Sequence, residues 1–239
     1  MPWRPRALRV VVGVLIAAIV FFGIVSLTNA RCFQLVGEVT CRVTTDRKIV
    51  ALTFDDGPTS RGVDAVLPVL ERFDAKATFF LIGEDIKEAP GEAEKILAAG
   101  HELGNHSFSH VRGVGRSQKF YRQEVRRTHA LLERAGAEAR LFRPPYGKRL
   151  VGLPIEVKRA GYRTIMWDVE DRAGHFDDPQ AYADDILGRV RPGSIILIHP
   201  MYRGNGLERA ALPLLLQGLA DRGYRATSVS ELLASASPD

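Results

Sequence analysis

From about residue 47 onward, the chain alternates short, continuously apolar runs with longer amphipathic segments. A short continuous apolar run is typical of a buried strand, whereas apolar residues spaced three and four apart are typical of one helix face. This pattern predicts seven strands, at residues 49–54, 77–82, 101–105, 141–143, 163–169, 194–198 and 225–229. Helices are predicted between them, including one through residues 86–97 that ends at Gly100.

Regular alternation of strands and helices indicates an α/β protein with a parallel sheet and right-handed crossovers. Two predicted helices end in the same tripeptide, at 161–163 and 223–225, as expected of repeated βα units. Seven units in about 190 residues favour a closed or nearly closed barrel, with an open doubly wound sheet as the alternative. A glycine-rich phosphate loop follows none of the early predicted strands, which weakens a nucleotide-binding version of the open sheet.

The N-terminal segment differs in character from the rest of the chain. Arg4, Arg6 and Arg9 precede an uncharged, mostly apolar run at 10–27, whose 18 residues are about the minimum that spans a bilayer. This pattern favours a membrane anchor over a cleaved signal peptide, for which residues 28–30 are an imperfect cleavage site. The basic flank predicts a cytoplasmic N-terminus, so the remaining chain lies outside the cytoplasm, either anchored or secreted.

We therefore predict three parts: residues 1–31 as a basic stub with a signal peptide or signal anchor, residues 32–46 as a short stapled linker or hairpin, and residues 47–235 as the main domain. The net charge of +5 comes largely from the first part, which holds four of the 33 basic residues and none of the 28 acidic residues. The main domain is about neutral and has no basic footprint for nucleic acid. We expect a monomer.

The two cysteines, Cys32 and Cys41, both lie in the predicted linker. In an oxidising compartment they are expected to form a local disulfide across a small hairpin with Gly37 near its tip. Two free thiols are the alternative.

Polar residues gather where the predicted strands end. Asp55 and Asp56 follow the first strand, and the later strands are followed by His106, His110, Arg143, Tyr146, Asp168, Glu170, Asp171 and His199. In barrels of this kind the chemistry lies at the carboxyl ends of the strands, so these side chains are expected to converge. Alone, Asp55 and Asp56 are equally consistent with a plain surface turn.

His106 and His110 are four residues apart, and a turn or helix start brings both imidazoles to one face. With one carboxylate from the Asp55–Asp56 pair they form a two-His, one-Asp set that leaves coordination positions open for water and substrate. Nitrogen and oxygen ligands favour zinc, with cobalt, nickel, manganese or iron as alternatives. The sequence therefore predicts a hydrolytic divalent-metal site.

Four motifs in order resemble those of the polysaccharide deacetylase family, also known as the NodB-homology domain or carbohydrate esterase family 4. They are Thr-Phe-Asp-Asp-Gly-Pro at 53–58, His-Ser-Phe-Ser-His at 106–110, Arg-Pro-Pro-Tyr-Gly at 143–147 and Leu-Ile-His at 197–199. The resemblance covers roughly residues 47–235. It implies a distorted (β/α)7 barrel that removes acetyl groups from carbohydrate.

The resemblance also implies roles for individual residues. Asp56, His106 and His110 are expected to hold the metal, Asp55 to act as general base and His199 as general acid. Arg143 is expected to keep Asp55 ionised, since an opposite charge lowers a carboxylate pKa. The backbone N–H of Tyr146 is expected to help hold the oxyanion, and Leu197 to line the pocket for the acetyl methyl group.

The run after the fifth predicted strand departs from the family pattern, which has Asp, two residues, then Asp-Trp. Here Glu170 stands where the first Asp is expected, and no tryptophan follows. Glu170 is predicted to pair with Arg143 in place of the shorter acid. Pro200 stands where the family often has Asp.

The leading function is a metal-dependent hydrolase that removes acetyl groups from an N-acetylated glycan outside the cytoplasm. An O-acetyl esterase acting on a xylan-like polysaccharide is the second interpretation. A catalytically inactive carbohydrate-binding protein on the same fold is the third, and the presence of both Asp55 and His199 argues against it, because binding alone needs neither base nor acid.

Overall fold

The computed structural model describes residues 4–237, with side chains described from residue 8. Residues 1–3 of the predicted basic stub, and the side chains of Arg4 and Arg6, lie outside the described part. The nine strands in this range are β1 Val39–Thr40, β2 Ile49–Asp55, β3 Thr78–Leu81, β4 Glu102–Asn105, β5 Leu141–Phe142, β6 Arg163–Ile165, β7 Val169–Glu170, β8 Ile195–Ile198 and β9 Arg225–Thr227.

The strands form one parallel sheet with the order β1-β6-β5-β4-β3-β2-β8-β7, and β9 pairs with β2. The sheet curls into a half-barrel, and its end strands β1 and β7 are not paired with each other in this order. Helices surround it: α2 Ser60–Arg72, α3 Gly83–Glu88, α4 Glu92–Ala98, α5 Gln118–Arg134, α6 Gly152–Arg159, α7 Pro179–Arg189, α8 Gly206–Asp221 and α9 Val229–Ala234, preceded in the chain by α1 Arg4–Asn29. The predicted distorted (β/α)7 barrel is confirmed.

The central strand β2 explains where the site forms. Side chains of a strand alternate between its two faces, and Val50, Leu52 and Phe54 pack into the core beneath the surrounding helices. The alternate residues Ile49 and Ala51 belong to a second apolar cluster inside the barrel. The same alternation turns Thr53 and Asp55 inward, and both are almost completely buried.

The fifth predicted strand is one place where the sequence interpretation was wrong. Residues 163–169 form two short strands, because β6 pairs with β5 while β7 pairs with β8 on the other side of the sheet. The residues between β6 and β7 belong to neither strand. The first of them, Met166, still donates from its backbone N–H to the carbonyl of Thr40 on β1 at 2.7 Å. Asp168 accepts hydrogen bonds from Ser194 Oγ and the Ile195 backbone N–H at 3.0 and 2.8 Å.

Two smaller predictions also need correction. The single helix expected through 86–97 is divided into α3 and α4, because Pro90 and Gly91 lie between them and Gly91 has a φ of 89°. The expected hairpin after Cys32 is instead part of the sheet, since β1 pairs in parallel with β6. The predicted disulfide between Cys32 and Cys41 is present, with 5.2 Å between the Cα atoms.

The N-terminal helix α1 contains a segment, Leu8–Asn29, with a mean hydropathy of 3.0. By length and composition it is the one helix within residues 4–237 that is suited to cross a membrane. None of its most apolar window is buried against the rest of the chain.

Candidate active site

The residues predicted from separate strand ends line one cavity. This catalytic cavity has a volume of about 320 Å³ and is lined by Asp55, Asp56, His106, His110, Tyr146, Trp167, Glu170, Leu197 and His199. Arg143 is fully buried and reaches Asp55 from within the protein. The geometry brings together residues from β2, β7 and β8 and from the segments that follow β2, β4, β5, β6 and β8.

Asp56, His106 and His110 form the part of the cavity that fits a metal ion. One ligand atom from each lies within 4.8 Å of the others. Asp56 Oδ1 is 3.3 Å from His110 Nε2 and 3.7 Å from His106 Nε2. This oxygen is buried and has no hydrogen-bond partner among the described residues, so a cation would satisfy it.

The tautomer of His106 also suits metal binding. His106 Nδ1 lies 2.8 Å from the carbonyl oxygen of Arg143, which accepts only, so Nδ1 carries the proton and Nε2 presents its lone pair. Burial is the main reason that the pKa of His106 falls to about 4. The imidazole is therefore neutral at pH 7, which is the form that binds metals.

Backbone conformation aims these side chains. Within the described chain, five residues other than glycine have positive φ, and four of them lie at the site: Asp56 at 75°, Ser107 at 69°, His110 at 53° and Tyr146 at 56°. Such conformations cost energy and persist where the surroundings enforce them.

The turn from His106 to His110 is held by a buried acid. Glu124 on α5 accepts hydrogen bonds from the backbone N–H groups of Phe108 and Ser109 at 3.1 and 2.9 Å, and from the Ser109 hydroxyl at 3.0 Å. Glu124 was not predicted, although an acid at a position that α5 buries is the signal that could have revealed it.

Asp55, the candidate base, is held as an ionised carboxylate. Its Oδ1 accepts from Arg143 Nη1 at 2.7 Å. Burial raises the pKa of Asp55, but the charge of Arg143, the charge of His199 and the hydrogen bond from Arg143 outweigh it, so the pKa lies below its ordinary value. The pairing of Arg143 with Asp55 has the geometry that the resemblance implied.

All three side-chain nitrogens of Arg143 donate hydrogen bonds in this position. Its other hydrogen bonds go to Thr53 Oγ1 at 2.8 Å and to the carbonyls of Ile165 and Met166 at 3.2 Å each. Its guanidinium carbon also lies 4.1 Å from the centre of the Phe80 ring.

The prediction that Glu170 pairs with Arg143 is therefore wrong. The hydrogen bonds of Arg143 are taken up by Asp55, Thr53 and backbone carbonyls, while Glu170 forms its ion pair with Arg31. Glu170 still lines the catalytic cavity, at its partly exposed rim.

Asp171, for which no role was predicted, holds the general-acid candidate. His199 Nδ1 and the His199 backbone N–H both donate to Asp171 Oδ2, at 3.0 and 3.1 Å. Burial lowers the pKa of His199, but the hydrogen bond to Asp171 and the charges of Asp171, Asp55 and Asp56 raise it to about 9. The ring is therefore protonated at neutral pH, as an acid must be.

Tyr146 and Leu197 occupy the edges of the cavity. The Tyr146 ring is half exposed and lies 4.7 Å from the His110 ring, centre to centre. Leu197 on β8 is paired with Thr53 on β2 and faces the inner apolar cluster.

A curled parallel (β/α) sheet with a candidate metal-ligand set, an ionised carboxylate and a protonated imidazole at its carboxyl edge has the arrangement expected of a barrel hydrolase. The sequence model of the family described as "Polysaccharide deacetylase" matches residues 42–165. A peptidoglycan-N-acetylglucosamine deacetylase from Bacillus cereus is 33% identical over 199 residues, covering 82% of this chain and 93% of that protein. The chain belongs to the polysaccharide deacetylase family of enzymes.

Other relatives are longer than this chain. A match to the peptidoglycan-N-acetylglucosamine deacetylase PgdA of Listeria monocytogenes, at 32% identity, covers 77% of this chain and 39% of that protein.

Solved structures show the same fold. A CE4 family pseudoenzyme from Bacillus anthracis superimposes with a TM-score of 0.78 at 28% identity, covering 86% of this chain and 72% of its own. The peptidoglycan N-acetylglucosamine deacetylase Bc1960, crystallised with a hydroxamate-type benzamide, gives a TM-score of 0.78 at 27% identity, covering 84% and 95%.

Proposed function

We propose that this protein is a divalent-metal-dependent deacetylase that hydrolyses the acetamide of an N-acetylated glycan outside the cytoplasm. The observation that carries the proposal is the common cavity of Asp55, His199 and the Asp56–His106–His110 set. Relatives named as peptidoglycan-N-acetylglucosamine deacetylases support an N-acetylglucosamine unit as the substrate.

Asp56, His106 and His110 hold the ion in this proposal, and their donor set favours zinc. When bound there, a divalent ion acidifies a water molecule and polarises the acetyl carbonyl. The neutral His106 and the otherwise unpartnered Asp56 oxygen are the features of this chain that fit such an ion.

The remaining residues of the site manage protons and orientation. Asp55, kept ionised by Arg143, accepts the proton of the attacking water. His199, kept protonated by Asp171, donates a proton to the departing nitrogen, because an amine leaves poorly unless it is protonated. The backbone N–H of Tyr146 stabilises charge on the acetyl oxygen, and Leu197 contacts the methyl group.

The location follows from the N-terminal helix. We propose that residues 1–31 anchor the protein in the membrane and that residues 47–235, the deacetylase domain, lie outside the cytoplasm. The apolar segment Leu8–Asn29 and the basic residues before it support this orientation. Named relatives act on peptidoglycan, which is an extracytoplasmic polymer.

Fold alone does not separate an active from an inactive member. The Bacillus anthracis pseudoenzyme and a mutant of it with restored enzymatic activity both align with this chain at a TM-score of 0.78. The site therefore carries the argument for activity here: Asp55 with a buried arginine and His199 with a partly buried carboxylate are pairings that carbohydrate binding alone does not need.

The test is acetate release by the purified full-length protein across a panel of glycans. The panel contains chito-oligosaccharides, peptidoglycan and O-acetylated xylan. We expect release from the N-acetylated glycans and none from the Asp55→Asn variant. Release from the xylan alone favours the esterase interpretation, and no release from any member, with zinc present, rejects the proposal.

A further inference from the structure

The chain between α1 and β1 reaches the rim of the catalytic cavity. Residues 30–34, here called the rim segment, follow directly on the apolar helix. Within it, the Arg31 guanidinium pairs with Glu170 and lies 5.6 Å from the centre of the Trp167 ring. Glu170 and Trp167 both line the catalytic cavity, so the rim segment extends its wall.

A buried arginine holds the rim segment in place. Arg149 is 2% exposed, and its guanidinium donates to the carbonyls of Arg31 and Phe33 at 3.1 and 3.2 Å and to Gln34 Oε1 at 3.0 Å. Burial lowers the pKa of Arg149 to about 10, so it stays charged at neutral pH. Burying a charged arginine costs desolvation free energy, and its hydrogen bonds to the rim segment offset that cost. Loss of these hydrogen bonds would leave buried donors without partners.

Covalent and sheet contacts add to this attachment. The disulfide joins Cys32 in the rim segment to Cys41, directly after β1, and β1 pairs with β6. Arg31 is therefore held at the cavity whether or not the apolar helix is removed by cleavage after Ala30.

We infer that Arg31 and Glu170 form a subsite for hydroxyl groups of the sugar whose acetyl group is removed, and that they determine glycan specificity. This inference rests on the proposed function. The guanidinium supplies donors and the carboxylate supplies acceptors, and a sugar hydroxyl needs both. The two charges compensate each other, which suits uncharged hydroxyls better than a phosphate or carboxylate.

The exposure of the pair and its position support contact with a chain of sugars. The side chains of Arg31 and Glu170 are 44% and 37% exposed, so neither is closed off from a ligand. Glu170 and His199 also line a second, larger groove of about 570 Å³, formed with residues 171–175, Asn205 and Glu208. Glu170 and His199 line both spaces, so a glycan that runs from the catalytic cavity into this groove passes this shared wall.

The competing explanation is that the ion pair merely fastens the rim segment. To separate the two, kcat and KM are measured for the full-length protein in detergent, with a chito-oligosaccharide and with 4-nitrophenyl acetate, a small ester without a sugar. For Arg31→Ala and Glu170→Gln, we expect KM for the chito-oligosaccharide to rise about tenfold. The ratio of kcat/KM for the chito-oligosaccharide to that for the ester falls accordingly.

Two further variants sharpen the result. Arg31→Lys keeps the charge but loses the planar pair of donors, so an intermediate loss is expected. Arg163→Ala removes an ion pair with Glu38 in the same region, away from the cavity, and should leave both kinetic constants for the chito-oligosaccharide unchanged.

An unaltered ratio in Arg31→Ala and Glu170→Gln overturns the subsite, as does an equal loss of both activities, which indicates a structural role. A wild-type protein that releases no acetate from the chito-oligosaccharide instead rejects the proposed function, so the two failures are distinguishable.

Discussion

Replacing Asp171 with Asn tests how the general-acid candidate is controlled. The variant keeps the shape of the side chain but removes the negative charge that stabilises protonated His199 and leaves one acceptor oxygen in place of two. Burial of His199, which lowers its pKa, is unchanged. The pKa should therefore fall from about 9 towards, or below, the ordinary value of 6.5.

The size of the effect follows from the protonated fraction. An acid is active below its pKa and inactive above it, so activity is lost as pH rises through the pKa of His199. If the pKa moves from about 9 to 6.5, the protonated fraction at about pH 8 falls about thirtyfold, whereas at about pH 5.5 it changes less than twofold. A cation on Asp56 lowers the pKa in wild type and variant alike, so the comparison is made at equal zinc loading.

The assay is the pH profile of kcat/KM for acetate release. We expect the alkaline limb of Asp171→Asn to lie well to the acid side of the wild-type limb. Asp177→Asn makes the same substitution at an exposed position nearby and should leave the profile unchanged. An alkaline limb that does not move, or a loss of the same size at both pH values, refutes the assignment of Asp171 as the residue that sets the pKa of His199.

Further predictions concern the base, the ion and the backbone. Asp55→Asn should retain stoichiometric zinc, measured by elemental analysis, yet release no acetate, and a variant without zinc would contradict the division of roles between Asp55 and Asp56. A chelator should abolish acetate release and zinc should restore it, and indifference to both treatments would show that the ligand set is misassigned. Gly193→Ala should lower the free energy of unfolding by about 2–4 kcal/mol, because Gly193 has a φ of 79° and an added Cβ would lie 1.8 Å from the Val43 carbonyl oxygen. Gly188→Ala, with nothing within 4 Å of the added Cβ, should be neutral or stabilising by up to about 1 kcal/mol in the same urea titration.

The proposed rim subsite and membrane anchor together indicate where the enzyme binds its glycan substrate. The apolar helix ends at Asn29, and Arg31, two residues later, borders the catalytic cavity. If the helix spans the membrane as proposed, the cavity lies close to the membrane surface. Glycan near the membrane is then more accessible than glycan in the outer wall.

The strand positions and the ligand residues were largely predictable from the sequence. Six of the seven predicted strands are present as single strands, and the fifth is divided into β6 and β7, since a continuous apolar run that must be buried on both faces has few other places to go. His106 and His110 were predictable as neighbours because their spacing is local. Strand position alone left Asp55 and Asp56 equivalent, and the choice of Asp56 as the ligand came from the family resemblance.

The errors have a common physical cause. Residues 163–169 have the composition of one strand, and only the choice of neighbours, β5 for one half and β8 for the other, divides them. The division also determines which way the side chains of Glu170 and Asp171 point. Glu170 pairs with Arg31, 139 residues away, and Asp171 with His199, 28 residues away. Neither partner is encoded in the local pattern.

By itself, then, the sequence determined the elements, the apolar helix, the disulfide and the types of residue available for chemistry, because these depend on local periodicity and composition. The tertiary structure decided which acid holds the imidazole of His199, that Arg143 donates to Asp55, Thr53 and backbone carbonyls, and that the chain after α1 borders the cavity. Those outcomes depend on strand register and on contacts between distant segments, and such contacts exist only once the sheet has curled.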